Sequence, residues 1–162
     1  MYSPHQKVGT VMPLVTLTDS QVKQCETVAK QRIEIGGKID FNHDRMTPEY
    51  KQQIDFLGAK GELAVSIFTG LPWTGSKGPH LSDVSGYEVR STQRKDGKNY
   101  FLYVRDKDKD SVYIFCVVDG PHVVIAGWST AADVRTKGTL MYEDTQCYGL
   151  PRKDLYPMET LR

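Results

Sequence analysis

Apolar residues recur at intervals of three and four from Thr18 to Thr69, then alternate with polar ones after Trp73. This predicts helices first and strands second. Thr18 with Gln21 fits a capping box, and Val22, Cys25, Val28, Ala29, Arg32 and Ile33 continue at helical spacing until Gly36-Gly37. A first helix is expected over 19–35. Thr47 is the cap of a second, with Pro48 in the first turn, where a missing N–H is tolerated. Its stripe runs through Tyr50, Ile54, Leu57, Gly61, Ala64, Val65 and Phe68 and stops at Gly70-Leu71-Pro72. Glu62 lies beside the stripe, one turn after Gly58. Each interior glycine costs about 1 kcal/mol relative to alanine, so Gly58 and Gly61 point to close packing or to room for a ligand on that face.

In the second half, Tyr87, Val89, Ser91 and Gln93 alternate with Glu88, Arg90, Thr92 and Arg94. Glu88 and Arg90 therefore share one side of a strand. Lys95-Asp96-Gly97-Lys98 reads as a hairpin turn into a strand over 100–104. Residues 111–118 and 122–128 read as two further apolar strands, joined through Asp119-Gly120-Pro121. Thr130 and Asp133 fit the cap of a short helical turn. The expectation is one α+β domain spanning 1–162: an arm over 1–17, a helical pair, an antiparallel meander, and a tail over 137–162 packed on the domain.

Composition narrows the functional classes. A chain of 162 residues that is 39% hydrophobic and 25% charged can bury an ordinary globular core. A formal charge of +1 argues against a generic basic coat for nucleic acid, so any DNA contact must be local. Between residues 70 and 105, Lys77, Arg90, Arg94, Lys95, Lys98 and Arg105 face only Asp83, Glu88 and Asp96. Cys25, Cys116 and Cys147 are odd in number and widely spaced, which suits neither a disulfide framework nor a zinc site. Buried thiols in a reducing cytoplasm are expected, with no membrane anchor, because no stretch approaches the roughly 20 apolar residues of a span.

The chemistry-bearing residues lie on either side of Ser85-Gly86. Asp83 and Glu88 flank that turn, Arg90 follows, and Glu62 waits upstream on the helix. Carboxylates in this grouping suit a hard divalent cation such as Mg²⁺, with Mn²⁺ as a substitute, and such an ion can polarise a phosphate and activate a water. Other groupings fare worse. Asp106-Lys107-Asp108-Lys109-Asp110 opens like a calcium loop, but Ser111 stands where glycine is needed and Val117 where glutamate is needed, so it reads as a solvated turn. His5, His43, His80 and His122 show no ligand spacing. The loop Gly75 to Gly78 lacks the Gly-Lys-Ser ending of a phosphate cradle, so no nucleotide cofactor is expected. Trp73 and Trp128 could stack on bases, or sit at the core or its rim.

Gly61-Glu62 on a helix, then Asp83, then Glu88-Val89-Arg90 on a strand with further strands after it, resembles the PD-(D/E)XK nuclease superfamily, whose fold is restriction-endonuclease-like. The Ile125-Ala126-Gly127-Trp128 strand end and the stretch from Leu150-Pro151 to Pro157-Met158 are similar to small phage-type members. The resemblance implies helices flanking a mixed sheet whose central strand carries Glu88 and Arg90. It implies Asp83, Glu88, the Val89 carbonyl and Glu62 as ligands of Mg²⁺, and a DNA endonuclease acting by in-line attack of a metal-activated water. Arg90 stands where the family carries lysine. A guanidinium keeps its charge, so its expected role is to offset transition-state charge and not to move a proton. Lys77, His80, Thr92, Gln93, Arg94, Lys95 and Lys98 would contact DNA, in a host cytoplasm if the chain is phage-encoded. A homodimer is left open. The alternative reading is a nuclease-fold module that binds DNA or protein without cutting.

Overall fold

The computed structural model describes residues 12–35, 47–73, 75 and 82–161. Gly36-Gly37, Lys77, His80, His5, His43 and most of the predicted arm and of the loop over 75–80 lie outside the described residues.

Both long helices form where the periodicity places them. Helix α1 spans Asp19–Ile35, and its capping box is complete: Thr18 N–H donates to Gln21 Oε1 at 2.8 Å and Gln21 N–H to Thr18 Oγ1 at 3.2 Å. Helix α2 spans Pro48–Thr69, with Thr47 Oγ1 accepting from Tyr50 N–H at 3.1 Å and Gly70 closing it at φ 75°. That left-handed closure favours glycine.

The strands are β1 (Leu14–Thr16), β2 (Tyr87–Gln93), β3 (Phe101–Arg105), β4 (Val112–Asp119), β5 (His122–Thr130), β6 (Thr139–Tyr142) and β7 (Cys147–Pro151), with helix α3 (Ala131–Lys137) after β5. They form two sheets, ordered β1-β5-β4-β2 and β3-β7-β6. The expected meander forms only in part: β4 and β5 pair antiparallel across Asp119-Gly120-Pro121, but the earlier pairing fails. The Lys95–Lys98 turn exists, with Lys98 N–H on Lys95 O at 3.2 Å, but the strands it joins do not pair. β2 instead runs parallel to β4, and β3 crosses into the second sheet against β7. β2 is thus an edge strand and not a central one. The supposed tail supplies two strands of the second sheet, and the end of the supposed arm becomes β1, paired with β5.

The two sheets also explain the layering. On β4, Ile114, Cys116 and Val118 pack toward α1 and α2, while Tyr113, Phe115 and Val117 pack toward β3, β7 and α3. The long helices therefore cover one face of the four-stranded sheet, and the second sheet with α3 covers the other. The arrangement is α+β with one mixed sheet. Gly127 admits the C-terminal segment: a Cβ there would lie 2.7 Å from Tyr156 O, and Trp128 and Tyr156 exchange backbone hydrogen bonds of 2.9 and 3.0 Å. Trp128 itself donates to Pro157 O and Thr160 Oγ1, a rim position. Among the described residues no helix is long and apolar enough to cross a membrane.

Gly61 sets how closely α2 lies on the sheet. A Cβ built there would strike Ser91 Oγ on β2 and come within 3.4 Å of Cys116 Cβ on β4. Gly61→Ala should therefore destabilise the fold by about 1–3 kcal/mol, the scale of overpacking. In a Ser91→Ala background most of that loss should vanish, because the obstructing Oγ is buried with no hydrogen-bond partner and its removal costs little. Urea unfolding of the four variants measures this. An equal loss in both backgrounds would mean that the backbone, and not Ser91, limits the approach.

Candidate functional site

The site lies along the outer edge of β2. Tyr87 exchanges backbone hydrogen bonds with Val84, folding residues 82–86 back along the strand, and Ser85 takes φ 38° and Gly86 φ 94° in that turn. The fold-back brings Asp83 Oδ2 to the Val89 N–H at 2.8 Å. A residue's N–H and C=O leave a strand on the same side, so the Val89 carbonyl also faces this edge, away from β4. Asp83 and the Val89 carbonyl therefore share it.

Glu88 completes the pair. It is 6% exposed, and burial pushes its carboxyl above the usual glutamate range. The Lys109 ammonium opposes that shift, while the neighbouring Asp83 carboxylate reinforces it. Lys109 Nζ stands 2.6 Å from Glu88 Oε1, an ion pair at the buried carboxyl. The Glu88 carboxyl, the neighbouring Asp83 carboxylate and the Val89 carbonyl are hard oxygen donors of the kind a divalent cation takes. These three residues fit Mg²⁺ or Mn²⁺.

Glu62 is not brought together with them. Val89 packs into the helix-side core, and Ser91 meets Gly61 of α2, so the helix side of β2 carries the odd-numbered residues. Glu88 and Arg90 face the second sheet. Glu62 stays on the helix side, gripped by Arg32, whose Nη2 donates to Oε1 at 2.6 Å and Nη1 to Oε2 at 3.1 Å, while Trp73 Nε1 donates to Oε1 at 3.0 Å. Burial raises the Glu62 pKa, the Arg32 hydrogen bonds lower it, and the charge of Asp83 raises it again. Among the described residues no group of three or more His, Cys, Asp or Glu side chains converges as a metal site. The expected shared ligation by Glu62 is therefore replaced by a structural ion pair with Arg32, in which Glu62 still feels the charge of Asp83.

Arg90 lies on the Glu88 face with its guanidinium carbon 4.9 Å from the Tyr113 ring centroid and Nη2 3.8 Å from Asp108 Oδ2. It is held but remains 39% exposed, so it can still meet an anion. Lys109 and Asp108 escape a reading of the sequence because 106–110 has the composition of a solvated turn. The turn is exposed at 106, 107, 109 and 110 and is also clamped by α3: Arg135 Nη2 donates to the carbonyls of Asp108 (2.6 Å), Arg105 (2.9 Å) and Asp106 (3.3 Å), and Nη1 to Asp110 Oδ1 (2.8 Å). No local signal in the chain announces a contact between Glu88 and a lysine 21 positions away.

Among the described residues, the remaining DNA-contact candidates gather at the far end of β2. Lys98 Nζ donates to Thr92 Oγ1 at 2.7 Å, Lys95 N–H donates to Tyr100 Oη at 3.1 Å, and Arg94 lies 3.4 Å from Asp96 and 3.8 Å from Asp119. Gln93 ends the strand, exposed. Burial raises the thiol pKa of all three cysteines, Cys25 to about 11, which leaves them protonated and inert near neutrality. Comparison with family models, with curated protein sequences and with solved structures found no match.

Proposed function

We propose that this chain is a divalent-metal-dependent nuclease that works at the open edge of β2. The observation that carries the reading is the Asp83–Glu88 pair: two adjacent carboxyls, one of them buried, on an edge shared with the Val89 carbonyl. Asp83, Glu88 and that carbonyl would hold the ion. Once bound, Mg²⁺ would supply Lewis-acid polarisation of a phosphate and a more acidic water. The other roles fall to the protein. Arg90 presents a permanent positive charge on the Glu88 face, suited to the charge that builds on a phosphoryl group in its transition state. Lys109 holds Glu88 toward its ionised form. Glu62, tied to Arg32 and Trp73, keeps α2 in place beside Asp83 and adds to the negative potential there.

A second reading has its own support. Lys109 already compensates Glu88, and Arg32 already compensates Glu62, as in a module that binds without cutting. Purified protein incubated with plasmid, linear duplex and single-stranded DNA in Mg²⁺, Mn²⁺ or EDTA separates the two. Cleavage in either metal and none in EDTA is expected. DNA binding with no cleavage in either metal would transfer the conclusion to the binding module.

A further inference from the structure

We infer that the cleft between β2 and β3 binds unpaired nucleotides, which makes single-stranded nucleic acid, or an unpaired stretch within a duplex, the substrate class. This deepens the nuclease reading and rests on it only for the cleavage step, not for binding. The cleft measures about 410 Å³, and its walls include Arg90, Lys98, Arg105, Tyr100, Phe101 and Tyr103. Cations interleaved with aromatic rings are the two elements that single-strand sites combine: positive charge along the backbone and flat faces on which bases stack.

The rings are arranged for that use. Tyr103 points out of the second sheet and is 37% exposed, with its ring centroid 6.0 Å from those of both Phe101 and Tyr142. The row runs from the cleft onto the outer face of the second sheet. Gly149, opposite Tyr103 on β7, makes this possible: a Cβ there would lie 3.2 Å from the Tyr103 ring and 2.9 Å from Met141 Cγ. Bare backbone lets the ring lie across the strand. Tyr100, at the other end, sits under Lys98 at 5.6 Å and Arg152 at 5.1 Å.

Charge and shape choose the occupant. Arg90 and Arg105 are 39% and 45% exposed, whereas Asp108, the carboxylate in the lining, is 14% exposed and accepts the Arg105 N–H at 2.9 Å. The net field in the cleft favours an anion. Readers of duplex DNA insert a projecting helix or ribbon into a groove. Here both long helices lie on the opposite face of the four-stranded sheet, and the cationic surface is concave. A base already out of a stack can enter it. Arg90 lies two residues beyond Glu88 on the same face, so a strand held in the cleft has a phosphate within reach of the proposed cutting edge.

The test is binding in EDTA, where no cleavage occurs, read by fluorescence anisotropy of labelled oligothymidylate and of a duplex of equal length. The single strand should bind about tenfold or more tighter than the duplex. Tyr103→Ala should weaken single-strand binding roughly 5- to 150-fold, the scale of one lost base stack, and Tyr103→Phe should restore it. Arg105→Gln should lower the salt slope by about 0.7, one phosphate contact on a single strand, whatever the fate of the tyrosine variant. Equal affinity for the two forms, or an unchanged affinity in Tyr103→Ala with an unchanged slope in Arg105→Gln, would overturn the inference. Tight single-strand binding without cleavage in Mg²⁺ keeps the cleft and removes the nuclease reading. Cleavage of single strand and duplex at equal rates, each unchanged in Tyr103→Ala, keeps the nuclease and overturns the cleft as what selects its substrate.

Discussion

Arg32→Ala should cost about 3–5 kcal/mol of stability, because it leaves Glu62 as an uncompensated charge in a site where both partners are more than nine-tenths buried. The pair is bidentate, and the Arg32 Nη2 also reaches Gly75 O at 3.4 Å, so the substitution loosens the α1–α2 contact and the segment after Trp73 together. The pH dependence has a definite sign. The folded-state pKa of Glu62 is already raised, so its contribution to stability is present below the ordinary glutamate value and is lost as pH rises through the raised one. Removing Arg32 raises that value further. The deficit of Arg32→Ala measured by urea unfolding should therefore be larger at pH 8 than at pH 5, and Glu62→Gln in the same chain should recover part of it. A loss below about 1 kcal/mol, the scale of a surface pair, would show that the pair is not sealed from water.

Asp83→Ala and Glu88→Ala should each lower single-turnover cleavage by at least roughly 10² to 10³, the scale on which single transition-state contacts are lost. Neither should weaken single-strand binding in EDTA, since removing a carboxylate beside a cationic cleft reduces repulsion of phosphate. Arg90→Lys should keep most of the rate and Arg90→Ala should lose about 10² to 10³, because the work assigned to Arg90 is charge and not proton transfer. A readout independent of turnover is Mn²⁺ affinity by calorimetry. Glu88 must lose its proton to hold the ion, and its pKa is raised, so affinity should fall as pH drops through a midpoint above the ordinary glutamate value. Lys109→Gln should move that midpoint higher still. Undiminished cleavage in Glu88→Ala would remove β2 from the chemistry.

Much of the local structure was legible because it is written locally. Thr18 with Gln21, Thr47 with Pro48, and Gly70 bound two helices whose partners lie within one turn. The spans of β2, β3, β4 and β5 were legible for the same reason, as was the shared face of Glu88 and Arg90. Partners were not. Period-two alternation states which residues share a face and is silent on which strand lies alongside, so a real Lys95–Lys98 turn looked like a hairpin. The parallel match of Glu88 with Tyr113, and of Arg90 with Phe115, has no signature near either strand. β6 is exposed at all four residues, and β7 carries Gly149 and Pro151. Pairing of β7 with β3, and of β6 with β7, makes them strands, and intrinsic preference does not. The separation of Glu62 from Glu88 follows from the same blindness, because the side of the sheet on which α2 packs is a tertiary fact.

The position of β4 carries a consequence for how the molecule comes apart. Six successive residues, Tyr113–Val118, are buried, three against each core, so this strand is a party wall between two hydrophobic rooms. Pulling it away to empty one room floods the other. Neither core can melt alone, and the two long helices and the second sheet, which lie on opposite faces of the four-stranded sheet, are lost in one cooperative event whose last protected amides belong to β4.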